Sequence, residues 1–266
     1  MKKFIVAILI ISAVYACSKV PVTGRKQINL VSDSEMNSMS LTSYNEFLTE
    51  NKGKVLSSGP EVVMVKRVGA NIAKAVTEYM TANKMQDAIK NFQWEFNVVD
   101  DKTVNAWCMP GGKVVVYTGI MSVAKNETAL AVVMGHEIAH AVAKHGSERM
   151  SQGLLQEFGG AVLSQALSQK SEVTKGLFMT AYGAGSNILG VLPFSRLQES
   201  EADKLGLIFM AMAGYNPEEA ISFWQRMSAA SQGGTPEFLS THPSDDTRIK
   251  QIKDFLPEAL KYYKPN

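Results

Sequence analysis

The sequence predicts an α+β domain, mainly helical, with a small antiparallel sheet set directly before one apolar helix. Three observations predict it. Apolar residues recur at helical spacing over Glu61–Lys84. The period drops to two over Phe92–Val98, and two further strand-like runs follow up to Thr118. Glu127–Gly146, ETALAVVMGHEIAHAVAKHG, is then Ala-rich, free of proline and built of good helix formers. With 266 residues, 45% of them hydrophobic, the chain is long enough for one well-buried core.

The first sixteen residues read as a leader rather than as fold. Lys2 and Lys3 form a charged start, and Phe4–Val14 is an apolar run too short to span a bilayer comfortably. The segment ends VYAC, the look of a lipoprotein cleavage site, although Tyr15 is bulkier than the usual residue there. Lipidation of Cys17 is therefore expected. Ser18 favours the outer membrane of a bacterial envelope, facing the periplasm, by analogy with enteric sorting. Only Cys17 and Cys108 exist, so a lipidated Cys17 leaves no disulfide partner, and Cys108 reads as a small core residue. Removing Lys2 and Lys3 from 27 basic residues leaves 25, against 25 acidic ones. A neutral chain argues against nucleic acid as a partner. The expected organisation is a leader over 1–16, a lipidated terminus and arm over 17–31, and one domain over 32–266.

The elements follow in order. Val20–Ser32, VPVTGRKQINLVS, is punctuated by Pro and Gly and reads as an extended arm packed on the domain. Ser32 or Asp33 caps a helix reaching Leu48, and Ser57-Ser58-Gly59-Pro60 breaks it. Glu61–Lys84 turns Val62, Val65, Val68, Ile72 and Val76 inward and Lys66, Arg67, Lys74 and Glu78 outward. Phe92, Trp94, Phe96 and Val98 mark a half-buried strand, Thr103–Met109 a second and Lys113–Thr118 a third, after the turn Pro110-Gly111-Gly112. An exposed edge of this sheet is expected to accept an extended polypeptide. Residues 151–192, rich in Gly, Ala, Ser and Leu, are expected to form helices packed on the domain.

The chemistry sits in HEIAH, His136–His140. Two histidines four apart lie about 40° apart around a helix and can reach one metal ion. Glu137, within about 100° of each, is placed to act on a water but not to be a third ligand. Leu130, Val133, Met134 and Ala141 give the helix a buried side, which turns the histidines inward. That pattern is what a zinc hydrolase needs. A third ligand is offered by Gln198–Asp203, where Glu199 and Asp203 stand one turn apart. Glu199 can ligate while Asp203 accepts the second ring N–H of a ligand histidine. Glu201, about 200° from Glu199, is expected in solvent. His145, about 140° round from His140, is set aside as a ligand.

HEIAH, then ESEAD, then THPSDDTRI over Thr241–Ile249 together resemble the gluzincin metallopeptidase family of the CAAX prenyl protease, HtpX and the mitochondrial Oma protease. VTGRKQINLVS, NAWCMPGGKVVVYTGIM and SRLQESEAD resemble in particular its periplasmic bacterial lipoprotein branch, the outer-membrane quality-control metalloproteases. The resemblance spans about residues 20–260. It implies a zincin domain and one Zn2+ per chain on His136, His140 and Glu199, with Glu137 as general base. His242 matches the family's late histidine, either stabilising an oxyanion or filling a fourth zinc position. Arg248 is either a partner for a site carboxylate or a structural ion pair. Within these 266 residues no stretch resembles the transmembrane helices of the prenyl protease and HtpX or the TPR repeats of some periplasmic relatives, so neither is expected. The expected activity is zinc-dependent cleavage of unfolded or misfolded envelope polypeptides. The rival is a zinc-containing periplasmic chaperone or assembly factor, against which the intact Glu137 argues.

Overall fold

The computed structural model describes residues 17–20, 23–158, 176–178, 181–182, 194–230, 236–243 and 246–265. The leader and most of 151–192 lie outside them. The arm forms a short hairpin of β1 (Cys17–Lys19) and β2 (Lys26–Ile28). Helix α1 (Asp33–Glu50) starts at Ser32, whose side chain accepts from Glu35 N while the Glu35 carboxylate takes the Ser32 N–H. After β3 (Val55–Leu56), Gly59 with φ 124° turns the chain into α2 (Pro60–Ala82), with proline in the first turn. The inward and outward residues of α2 fall as its period predicts.

The sheet departs from expectation. Its strands are β3, β4 (Glu95–Val99), β5 (Ala106–Met109) and β6 (Lys113–Tyr117), in the order β3-β4-β6-β5. The pairs β3/β4 and β5/β6 are antiparallel, but β4 and β6 run parallel, so the sheet is mixed. Gly111 (φ 78°) and Gly112 (φ 84°) make the tight return from β5 to β6. That return leaves β5 on the outside and β6 against β4. Successive residues of β6 serve two clusters: Val114 and Val116 face the main core, Val115 and Tyr117 a second core with Tyr44, Phe47 and Trp107. The edge strand β5 is buried throughout, not exposed.

After the short α3 (Met121–Ala124), Asn126 caps α4 (Glu127–Val142), the central helix. Every residue from Ala129 to Val142 is buried, in keeping with a stretch that is apolar on all sides except at His136, Glu137 and His140. α5 (His145–Phe158) follows, then α6 (Arg196–Met212), α7 (Glu219–Ala230), α8 (Glu237–Thr241) and α9 (Asp246–Ala259). α4 and α6 touch backbone to backbone where Gly135 meets Gly206: a Cβ on Gly135 would lie 2.9 Å from the Gly206 carbonyl oxygen. This crossing places the HEIAH helix directly against the ESEAD helix.

Candidate metal centre

The i, i+4 spacing on α4 stacks His136 and His140 with their Nε2 atoms 3.1 Å apart. Glu199, on α6, faces both: Oε1 lies 3.2 Å from His140 Nε2 and Oε2 3.5 Å from His136 Nε2. His242, at the end of α8, adds Nδ1 at 3.2 Å from His136 Nε2 and 3.0 Å from Glu199 Oε1. All four are buried, with donor atoms within 4.8 Å of one another. The His242 ring is slotted between Phe238 and Phe194, at 4.6 and 5.1 Å between centroids. Its Nδ1 therefore faces the cluster while Nε2 faces Glu137, 3.4 Å from Oε1.

Asp203, one turn after Glu199, takes the His136 Nδ1–H at 2.9 Å, which turns the Nε2 lone pair toward the cluster. Arg248 on α9 donates from Nε and Nη2 to the two Asp203 oxygens, each at 2.8 Å. Its Nη1 stands 2.6 Å from Glu199 Oε2, and its plane lies 3.5 Å from the Trp224 ring. Arg248 thus stands in contact with both carboxylates, Glu199 and Asp203.

Burial raises the Glu137 carboxyl, as a proton acceptor working near neutrality requires. Burial also acts to raise Glu199, but Arg248, then His242 and His136, hold it well below the usual range. Burial pushes the His136 imidazole down, yet Glu199 and Asp203 more than offset it, to about 9. The carboxylates of Glu199 and Asp203 beside the ring thus favour positive charge at His136. Burial drives His140 well below its ordinary value, so it stays a neutral donor.

The residues fit a zinc ion. Bonds of about 2.0–2.1 Å in tetrahedral geometry set ligand atoms roughly 3.3–3.4 Å apart. His136 Nε2 stands 3.1 Å from His140 Nε2 and 3.2 Å from His242 Nδ1, the Glu199 oxygens lie 3.0 to 3.5 Å from the three rings, and the four donors lie within 4.8 Å of one another. Two buried oxygens, Glu137 Oε1 and Glu199 Oε2, lack an aligned hydrogen bond.

His145, set aside as a ligand, is indeed not among the clustered donors of the described residues, yet its Nδ1 lies 2.9 Å from His140 Nδ1. The helical-wheel angle fails because α4 ends at Val142 and Lys144 adopts φ 59°, swinging His145 back toward His140. Glu201 does point away from Glu199, yet it is 1% exposed rather than solvated. The arm covers it: Arg25 Nε donates to both its oxygens at 3.0 and 3.1 Å, and Thr23 Oγ1 to Oε1 at 2.6 Å. No spacing rule links Arg25 to a residue 176 positions on, so neither it nor Thr23 was legible as part of the site. Cys108 is buried, and its thiol is pushed up by burial, as a core residue's would be.

Residues 67–256 match the model of a family described as peptidase family M48. The chain is 35% identical over 243 residues to mitochondrial metalloendopeptidase OMA1 of Schizosaccharomyces pombe, covering 90% of this chain and 66% of that one. Against the Saccharomyces cerevisiae protein of the same name the figures are 32% over 259 residues, 92% and 70%. The beta-barrel assembly-enhancing protease of Yersinia pestis is 29% identical over 173 residues, 60% of this chain and 34% of that one. The chain thus spans about two thirds of the fungal relatives and about a third of the bacterial one.

Proposed function

The chain belongs to peptidase family M48 and is a metalloendopeptidase, and on that premise we propose that it cuts exposed or misfolded segments of bacterial envelope proteins with one zinc ion. His136, His140 and Glu199 would hold the ion. The convergence of buried donors beside Glu137 carries this reading. Bound zinc would acidify a water and polarise the scissile carbonyl. Glu137 takes the proton of the attacking water and returns it to the leaving amine. Asp203 orients His136, and Arg248 holds Asp203 and Glu199 in place.

His242 keeps the resting enzyme latent by supplying a fourth donor. Its Nδ1 lies among the other three, the aromatic slot holds it there, and α8 is tied to the segment before β5. Phe238 N donates to Val104 O at 3.1 Å, and Asn105 Nδ2 to Glu237 Oε1 at 2.9 Å. Release of α8 from those bonds would withdraw His242. The envelope placement is supported by the leader, with lipid on Cys17, and by the likeness to a bacterial beta-barrel assembly-enhancing protease. Among the described residues no helix is long and apolar enough to cross a membrane.

The test is hydrolysis of unfolded casein by the form beginning at Ser18, with chelator, with zinc returned, and with Glu137→Gln. Activity abolished by chelator, restored by zinc and absent in Glu137→Gln supports the zinc mechanism. His242→Ala should raise basal cleavage. A plain loss there would assign His242 to the oxyanion instead. Bound zinc without cleavage in either protein would favour the chaperone.

A further inference from the structure

The arm reaches the metal centre through a line of buried polar groups outside the reacting atoms. Arg25 is its outer end. Nη1 and Nη2 grip the two oxygens of Glu148 at 2.7 and 2.8 Å, while Nε and Nη2 bind Glu201. Glu201 Oε2 faces His145 Nε2 at 3.1 Å, and His145 Nδ1 faces His140 Nδ1 at 2.9 Å. His145 is 0% exposed, so no solvent substitutes for either contact.

Donor and acceptor roles allow one assignment when His140 gives Nε2 to a metal. Its Nδ1 must then carry the proton and donate to His145 Nδ1. His145 Nδ1 can accept only if its own proton is on Nε2, and among the described residues that proton faces the Glu201 carboxylate. Glu201 in turn must stay a carboxylate aimed at His145, which Arg25 and Thr23 secure. We propose that His145, Glu201 and Arg25 are positioning residues for His140, so that docking of the N-terminal arm completes the metal centre. His145 thus does for His140 what Asp203 does for His136, with a second ring interposed before the carboxylate.

The coupling has a consequence for the arm. Gln27 Nε2 donates to Ala143 O at 2.8 Å, and the Leu30 N–H to Ser151 Oγ at 2.9 Å, so the arm sits on the end of α4 and on α5. If the arm tightens the metal, the metal must tighten the arm by the same factor. A ligand or surface that pulls on the residues after Cys17 would loosen the ion.

This inference rests on the metal reading above, and cobalt(II) separates the two. The full-length chain and its His145→Ala, Arg25→Ala and Thr23→Val variants would be loaded with cobalt. Three quantities would be read: the visible cobalt spectrum, the dissociation constant against a chromophoric chelator, and cleavage of the arm by trypsin. His145→Ala should weaken cobalt roughly 10- to 100-fold and shift its spectrum. Arg25→Ala should follow in the same direction, and Thr23→Val more weakly, since it removes one contact at an exposed residue. Cobalt should slow cleavage of the wild-type arm but not that of His145→Ala. Folded variants with wild-type affinity and spectrum would overturn the proposal. Should the first two fail to fold, Thr23→Val decides by the same criteria. A wild-type chain that binds no cobalt would instead refute the metal reading, and this one with it.

Discussion

Replacing Gly206 by alanine pits two opposed effects against each other. In an isolated helix the change stabilises by about 1 kcal/mol, because glycine is the poorer helix former. Here the methyl would lie 2.9 Å from the Gly135 carbonyl carbon and the His136 amide nitrogen, and 3.1 Å from the Gly135 oxygen. Carbon contacts settle near 3.5 Å, so α6 has to retreat by roughly half an ångström. The obstacle is the backbone of a buried helix, which cannot rotate aside as a side chain can. Overpacking of this kind costs about 1–3 kcal/mol, and a backbone obstacle places it near the top of that range. The net expectation is a loss of about 1–2 kcal/mol, or roughly 2–8 °C in melting temperature for a chain of this size. Gly206 lies two turns after Glu199 on nearly the same face, so the retreat also draws Glu199 from His136 and weakens metal binding. Thermal unfolding by circular dichroism reads the first effect and chelator competition the second. A melting temperature equal to or above wild type would refute the close-approach reasoning.

Arg248→Met should destabilise the metal-free protein by about 3–5 kcal/mol in urea unfolding, since it strands Asp203 and Glu199 buried without their cation; a loss below about 1 kcal/mol would show that neither carboxylate depends on it. Burial acts to raise the Glu201 pKa, but His145, Arg25 and Thr23 hold it at about 2. A folded pKa below the unfolded one gives stability that is present above about pH 4.5 and is lost as pH falls toward 2. Stability in Glu201→Gln should therefore fall less steeply across that window, by at most about 3 kcal/mol before screening at the exposed edge of Arg25. In a Cys17→Ser chain a thiol reagent should find no reactive group until denaturant exposes Cys108, which is 5% exposed; fast labelling of the native protein would contradict its packing.

Much of the centre was legible along the chain because local geometry decides it. HEIAH and ESEAD each place two groups one turn apart on a helix, and no tertiary contact changes that. Ser32, read as a helix start, likewise caps its helix with Glu35 three residues on. The Pro110-Gly111-Gly112 turn was readable for the same reason: only glycine takes those positive φ values without strain.

What lay beyond the sequence is what packs on the far side of each element. Alternation marked β4, β5 and β6 as strands, but nothing local says that β6 lies parallel to β4 with β5 outside it. The spacing correctly turned Glu201 away from Glu199. It could not show that the arm, some 176 residues earlier, covers that face, so a residue expected in water is buried in an ion-pair network. His145 was rightly set aside as a ligand, but its contact with His140 was not legible, because a wheel assumes a continuing helix, whereas the left-handed Lys144 ends one. The sequence by itself determined which side chains share a helical turn, and hence the candidate donors from α4 and α6. The tertiary structure alone decided that Gly135 and Gly206 bring those helices into contact, that Arg248 bridges Asp203 and Glu199, and that His242 Nδ1 faces the cluster. Hydrogen bonding within a turn is set by backbone geometry over a few residues, while these contacts depend on how whole helices settle against one core.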